Sequence, residues 1–131
     1  MSEDAIATAI RAALVEGQLP CPEAFRIAAA LRVKPADVGR TADALGVRVS
    51  RCQLGLFGYG PKAEGKHRIV QPLPQVPPAV SEAIHASLQE GRLPCAVAWS
   101  LAKRLGMAKL EISGAAEALQ IRISCCQLGC F

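Results

Sequence analysis

Aromatic residues are scarce in this sequence of 131 residues, which contains one Trp, one Tyr and three Phe. The chain is nevertheless 51% hydrophobic, and Ala is prominent among its apolar residues. Small apolar side chains favour closely packed helices over a sheet with a large core. The composition therefore predicts a mainly α protein with short β strands, and its apolar content excludes an intrinsically disordered chain.

Long apolar runs and a targeting signal are also missing from the sequence. No run approaches the length of about eighteen residues that a transmembrane helix needs, so we expect no membrane span. The first residues, MSEDAIATAI, lack the basic segment that precedes the apolar core of a secretory signal. We therefore expect a cytoplasmic protein whose thiols stay reduced.

Catalytic signatures are absent as well. The sequence has no Ser-His-Asp pattern and no cofactor fingerprint, so it predicts a protein that is not an enzyme. Gly60–His67, GPKAEGKH, has the spacing of a phosphate-binding loop, but His67 stands where Ser or Thr would hold magnesium. The Pro-rich residues that follow cannot form the helix that cradles phosphate in such loops. The motif therefore does not indicate nucleotide binding.

A sequence repeat is the main feature that is present. Ala83–Phe131 aligns with Ala9–Phe57 without a gap when 74 is subtracted from each residue number. The closest matches are EGQLPC with EGRLPC, and SRCQLGLF with SCCQLGCF. The alignment indicates a tandem duplication of a unit of about fifty residues, and two copies are too few for a solenoid. We expect two small units related by a pseudo-two-fold axis.

Each copy shows the pattern of three helices and a short strand. In the first copy, apolar spacing and breaker residues predict a helix that stops at Gly17, a second after Pro20 and a third that begins at Pro35. The segment VRVSRC alternates β-branched and polar residues, which predicts a strand. In the second copy, the first helix is predicted to begin at Ser81 and to end at Gly91.

This order of elements resembles a winged helix-turn-helix unit. In that superfamily a small residue marks the crossing of the second and third helices, and a Gly in the turn supplies a positive φ. The corresponding positions here are Ala28, Leu31, Arg32, Val33 and Val38 in the first copy, and Ala102, Leu105, Gly106, Met107 and Ile112 in the second. The resemblance covers about thirty-five residues of each copy and implies two tandem helix-turn-helix units.

The resemblance implies that the third helix of the first copy is the helix that contacts DNA bases. Its predicted outward face carries Arg40 and Thr41, whose side chains can donate to guanine or phosphate, and Arg48 and Arg51 follow on the strand. The matching face of the second copy offers no donor side chain, so we expect the first copy to make most contacts. Its residues are Glu111, Gly114, Ala115 and Ala118. Alternatively, both helices only pack, and Arg40 is a solvated charge.

The segment between the copies predicts a wing and a connector. Residues 59–80 hold Lys62, Lys66 and Arg68 against one Glu, and they supply half of the net charge of +4. A Gly-rich loop followed by a second strand, HRIV, would form a wing whose cations contact the DNA backbone. QPLPQVPP is then an extended linker. The predicted domains are 1–58, the wing and linker at 59–80, and 81–131.

The six cysteines are unusual for a chain of this size. They comprise the matched pairs Cys21 with Cys95 and Cys52 with Cys126, and the additional Cys125 and Cys130. No C-x-x-C occurs and the two His residues do not match between copies, so a zinc-finger spacing is absent. Each LPC thiol lies at a predicted helix N-terminus, where a lowered thiol pKa is expected. Two interpretations stay open: the thiolates hold a metal or iron–sulfur cluster or switch redox state, or the thiols are core residues.

The leading function that the sequence predicts is DNA binding of the transcription-regulator type, with double-stranded DNA as the partner. Units of about fifty residues bury little surface alone, so we expect the copies to share an interface or to form a homodimer. Two alternatives come from other classes. One is a thiol-based metal or redox-sensing accessory module, and the other is a protein-interaction adaptor that does not bind DNA.

Overall fold

The computed structural model describes residues 3–131, except for the side chains of Glu3 and Lys62, and it contains two compact units. Unit 1 comprises Met1–Gln53, Phe57–Arg68 and Gln127–Cys130, and unit 2 comprises Leu54–Leu56, Ile69–Cys126 and Phe131. The described residues form six α-helices and a few two-residue strands, which confirms the mainly α prediction.

Unit 1 is built around three helices that pack against one another: α1 (Glu3–Ala13), α2 (Cys21–Leu31) and α3 (Pro35–Ala44). Their inner faces follow the apolar spacing of the sequence, and Ile10, Ile27 and Val38 are fully buried. The small residues Ala28 and Ala42 are buried beside them, which lets the helices approach closely.

Two short strands complete unit 1. β1 (Leu19–Pro20) pairs in parallel with β2 (Val49–Ser50). Between α1 and β1, Glu16 and Gly17 have positive φ angles of 52° and 77°, as a two-residue hairpin turn requires. The prediction that Gly17 ends the first helix was therefore wrong, because α1 ends at Ala13 and Gly17 lies in this turn.

Unit 2 contains α4 (Pro78–Ala86), β3 (Leu93–Pro94), α5 (Cys95–Leu105), α6 (Lys109–Ala118) and β4 (Ile123–Ser124). Apart from α4, each of these elements lies 74 residues after its counterpart in the first half. The strands are again parallel, and Leu93 pairs with Ile123 as Leu19 pairs with Val49.

The start of α4 differs from the prediction. The helix begins at Pro78, within the segment predicted as a linker, rather than at Ser81. Proline is tolerated in the first turn of a helix because its missing N–H has no partner there, so a Pro-rich segment can still open a helix.

The turn between the second and third helices has the same geometry in both halves. Arg32 ends α2 with φ 55° and ψ 44°, and Gly106 ends α5 with φ 67° and ψ 30°. The next N–H reaches back in each case, from Val33 to the Ala28 carbonyl at 3.0 Å and from Met107 to the Ala102 carbonyl at 2.9 Å. Arg32 therefore takes the left-handed conformation that Gly takes in the second half.

The predicted second strand of a wing, HRIV at residues 67–70, was wrong. This segment has no strand, and the loop before it contains a short 3-10 helix, Lys62–Glu64. Arg51 has a φ of 50°, so β2 ends after two residues and offers no long edge for pairing. The N–H groups of Ile69 and Val70 instead donate to the Gly55 carbonyl, at 2.9 and 3.1 Å.

In the described part of the chain, every helix falls short of the length and apolar character that a crossing of the bilayer requires.

Candidate nucleic-acid interface and thiol cluster

The outward face of α3 carries one prominent cation. The side chain of Arg40 is 71% exposed, and its guanidinium is paired with the Asp37 carboxylate one turn earlier. That carboxylate also accepts a hydrogen bond from the Lys34 N–H at 3.2 Å, which caps the N-terminus of α3. Arg40 is thus held in position at the surface of the helix.

Thr41 lies differently from the prediction of an outward donor. It is only 8% exposed, and its hydroxyl donates to the carbonyl of Asp37 at 2.9 Å. Because the hydroxyl is bonded within its own helix, Arg40 is the exposed donor at this point of α3.

A cleft between α1 and α3 brings a second guanidinium to the same place. It has a volume of about 450 Å³. Arg11, Thr8 and Asp4 of α1 line one wall, and Arg40 and Ala44 of α3 line the other. Arg11 and Thr8 were not predicted from the sequence, although their spacing from Asp4 places all three on the polar face of an amphipathic α1.

The other predicted DNA contacts fall in different places. Arg48, Arg51, Lys66 and Arg68 are exposed, whereas the side chain of Lys62 lies outside the described residues. Arg51 lines a second cleft in unit 1, of about 310 Å³, whose other lining residues include Tyr59 and Glu16. The structure therefore joins Arg40 with Arg11 at one cleft and places Arg51 at another.

The matching face of α6 is covered. The N–H of Leu73 donates to the carbonyl of Gly114 at 3.1 Å, so the connector runs directly over the helix. A Cβ on Gly114 would lie 2.7 Å from the carbonyl oxygen of Gln71, closer than a real Cβ approaches backbone. Gly114 stands where α3 has Arg40, and both Gly114 and the neighbouring Ala115 are buried. This face of α6 offers no exposed donor.

A second glycine marks a close approach on α3. A Cβ on Gly39 would lie 1.7 Å from the carbonyl oxygen of Leu128, a residue of unit 1 that is 3% exposed. The segment Gln127–Cys130 therefore packs on the side of α3 that carries Gly39.

The six cysteines are present as thiols and differ in burial. Cys21, Cys52 and Cys95 are each 7% exposed. Cys126 is half-buried, and Cys125 and Cys130 are exposed. Among the described residues, no group of three or more His, Cys, Asp or Glu side chains is placed to hold a metal ion.

Two polar side chains lie beside Cys21 and Cys52. The amide of Gln53 donates to Sγ of Cys21 at 3.6 Å, and the hydroxyl of Tyr59 donates to the carbonyl of Cys52 at 2.6 Å. Burial raises the pKa of Tyr59, nearby Cys52 and Cys21 raise it further, and Arg51 lowers it. Both cysteines therefore lie near one phenol. Tyr59 and Gln53 were not predicted from the sequence, although a Gln follows Cys52 and Cys126 in both halves.

Comparison with known protein families, with characterised proteins and with solved structures finds no match to this chain.

Proposed function

We propose that the protein binds double-stranded DNA through its first half and acts as a transcription regulator. The observation that carries this proposal is the junction of α2 and α3, where Arg32 takes the left-handed turn conformation and α3 presents an exposed Arg40. Helix-turn-helix proteins place the second helix of such a pair in the major groove. In this proposal, the two halves arose by tandem duplication of one helix-turn-helix unit, and the protein works in the cytoplasm.

Arg40 is the proposed base or phosphate donor. Its guanidinium already has a carboxylate partner in Asp37, so contact with DNA requires exchange of that carboxylate for a phosphate or a guanine edge. Arg11 lies along the same cleft and supplies a second positive charge next to α3. Two neighbouring guanidiniums suit the phosphate backbone, which dominates affinity for DNA.

The second half has a supporting role in this proposal. The α6 position that corresponds to Arg40 is Gly114, and the connector covers it. Since α6 has no exposed donor there, duplex contacts are assigned to the first half. Lys66 and Arg68 are exposed on the loop after β2, and we assign them, with Lys62, to the DNA backbone.

The test is the affinity for a nonspecific duplex, measured by fluorescence anisotropy while the salt concentration is raised from about 50 mM. We expect binding at low salt that weakens as salt rises, because each neutralised phosphate releases counterions. Replacement of Lys62, Lys66 and Arg68 by Ala is expected to weaken binding and to flatten the salt dependence. Unchanged binding in that variant would remove the loop from the interface.

A matched pair of variants distinguishes DNA binding by the first half from attraction by the net charge of the protein. Arg48 and Arg122 occupy equivalent positions 74 residues apart, and both are exposed. Arg48→Ala and Arg122→Ala remove the same charge, but only Arg48→Ala is expected to lower the affinity. Equal losses would indicate attraction by net charge alone, and no binding at low salt would leave the adaptor alternative.

A further inference from the structure

The thiols of Cys21 and Cys52 lie at one end of the small sheet of unit 1. β1 and β2 pair Pro20 with Ser50, and partner strands in a sheet lie about 4.8 Å apart. Cys21 directly follows Pro20 as the first residue of α2, and Cys52 follows Ser50 by two residues. The strand pairing therefore brings the two cysteine-bearing segments side by side.

The chain stays beside Cys21 after the strand ends. Arg51 has a left-handed φ of 50°, which turns the backbone at this point. The side chain of the next residue after Cys52, Gln53, then donates to Cys21 Sγ at 3.6 Å. Cys52 therefore lies between Ser50, which strand pairing holds next to Pro20, and Gln53, which contacts Cys21.

Tyr59 covers the same place from the loop. Its hydroxyl donates to the Cys52 carbonyl at 2.6 Å, and both thiols influence its ionisation. A cleft of about 310 Å³ lies next to it and is lined by Tyr59 and by Ser50 and Arg51, the two residues before Cys52. Each cysteine is only 7% exposed, so the reacting sulfur is mostly buried.

We propose that Cys21 and Cys52 form a redox modification site, which a hydroperoxide converts into an intramolecular disulfide. The thiolate of Cys21 attacks one peroxide oxygen, the O–O bond breaks, and Cys21 becomes a sulfenic acid. The Cys52 thiol then displaces water from that sulfur. In sum, two thiols lose two electrons and two protons, hydrogen peroxide becomes two waters, and one S–S bond forms.

Cys21 is the attacking thiol in this scheme for two reasons. It is the first residue of an 11-residue helix, and a helix N-terminus favours negative charge on sulfur. It also receives the hydrogen bond from the Gln53 amide, which further favours the thiolate. Gln53 is a positioning residue here, because it acts through the sulfur and not on the peroxide.

The experiment maps the bond formed when the full chain is treated with stoichiometric hydrogen peroxide. Trypsin places Cys21 in peptide 12–26, Cys52 in 52–62, Cys95 in 93–103 and the remaining three cysteines in 123–131. We expect a linked pair of peptides 12–26 and 52–62 that is two hydrogen atoms lighter than its sum and separates on reduction. A linkage confined to the other peptides, or oxidation of Cys21 beyond the sulfenic acid with no linkage, would overturn the proposal.

Matched substitutions use the second half as the control. Cys21→Ser is expected to abolish the linked peptide pair, while Cys95→Ser, at an equally buried position, leaves it intact. Gln53→Leu is expected to slow disulfide formation severalfold and to move its pH dependence to higher pH. The equivalent Gln127→Leu should change neither the rate of disulfide formation nor its pH dependence. If both Gln variants behave alike, the assigned role of Gln53 is wrong.

Discussion

Gly39 and Ser113 occupy the same position in α3 and α6, but their surroundings are different. A Cβ on Gly39 would collide with the backbone carbonyl of Leu128. Ser113 is 1% exposed, and its hydroxyl has no hydrogen-bond partner among the described residues. The same change to Ala should therefore have opposite effects at the two positions.

Gly39→Ala is expected to destabilise the protein by about 2 kcal/mol, because overpacking exceeds the gain in helix propensity. Ser113→Ala is expected to stabilise it by up to about 1 kcal/mol, since it removes an unsatisfied buried hydroxyl. Urea unfolding of both variants measures the difference. Destabilisation of the same size at both positions would contradict the close approach at Gly39.

Tyr59 makes a pH-dependent contribution. Its folded-state pKa is raised above 10.0, so the stability it adds is fully present below pH 10.0 and is lost as pH rises through the raised value. Tyr59→Phe is expected to cost about 1 kcal/mol at neutral pH, through loss of the hydrogen bond to Cys52. Unfolding free energies at neutral pH and at about pH 11 should show this deficit shrinking. A deficit that is constant with pH would contradict the raised pKa of the phenol.

At the scale of elements, the sequence predicted the helix starts, breaks and strands that depend on residues close together in the chain. Pro35 at the start of α3, the break after Leu31 and the β-branched residues of β2 all act within a few residues, and these elements are present. The wing was predicted from Gly and basic residues, but Ile69 and Val70 bond to Gly55 instead. These hydrogen bonds depend on Gly55, which is distant in sequence from Ile69 and Val70, so no local pattern predicts them.

The turns that follow α2 and α5 give a test by exchange of their residues. The left-handed conformation of Arg32 is sterically strained, and Gly in the same conformation is not. The space around Gly106 is open, so a Cβ there would meet no neighbouring atom. Arg32→Gly is expected to stabilise the protein by up to about 1 kcal/mol, and Gly106→Arg to destabilise it by about 1 kcal/mol. Thermal unfolding of both variants measures this. A loss of stability in Arg32→Gly would mean that the Arg32 side chain has a structural role.

At the scale of the whole molecule, the two aligned halves of the sequence and the two compact units do not coincide everywhere. Gln127–Cys130 belongs to unit 1, although it follows β4, and Leu54–Leu56 belongs to unit 2, although it follows β2. Leu54 and Leu128 align with each other 74 residues apart, and both are buried. The sequence shows that both residues are apolar, but the surface that buries each of them is fixed only by tertiary packing.

Only part of the candidate site could likewise be predicted from the sequence. Sequence alone identified Arg40 as the exposed cation of α3, and it identified α6 as the face without donors. It did not identify the reason for Gly114, which is the passage of Gln71 and Leu73 over the helix. Arg11 was not predicted because it lies on α1, whereas the predicted contacts lie on α3 and after it.

The central claim, that α3 contacts DNA and α6 does not, is tested most directly by comparing the duplex affinity of Asp37→Ala with that of Glu111→Ala. Both residues cap their helix, through the N–H of Lys34 and of Ala108, so each variant should lose about 1 kcal/mol of stability. Both also remove one negative charge. Only Asp37 holds Arg40. We predict that Asp37→Ala binds a duplex severalfold more tightly at low salt, while Glu111→Ala binds as the unmodified protein does. Equal affinities of the two variants, or no binding by either, would contradict the account.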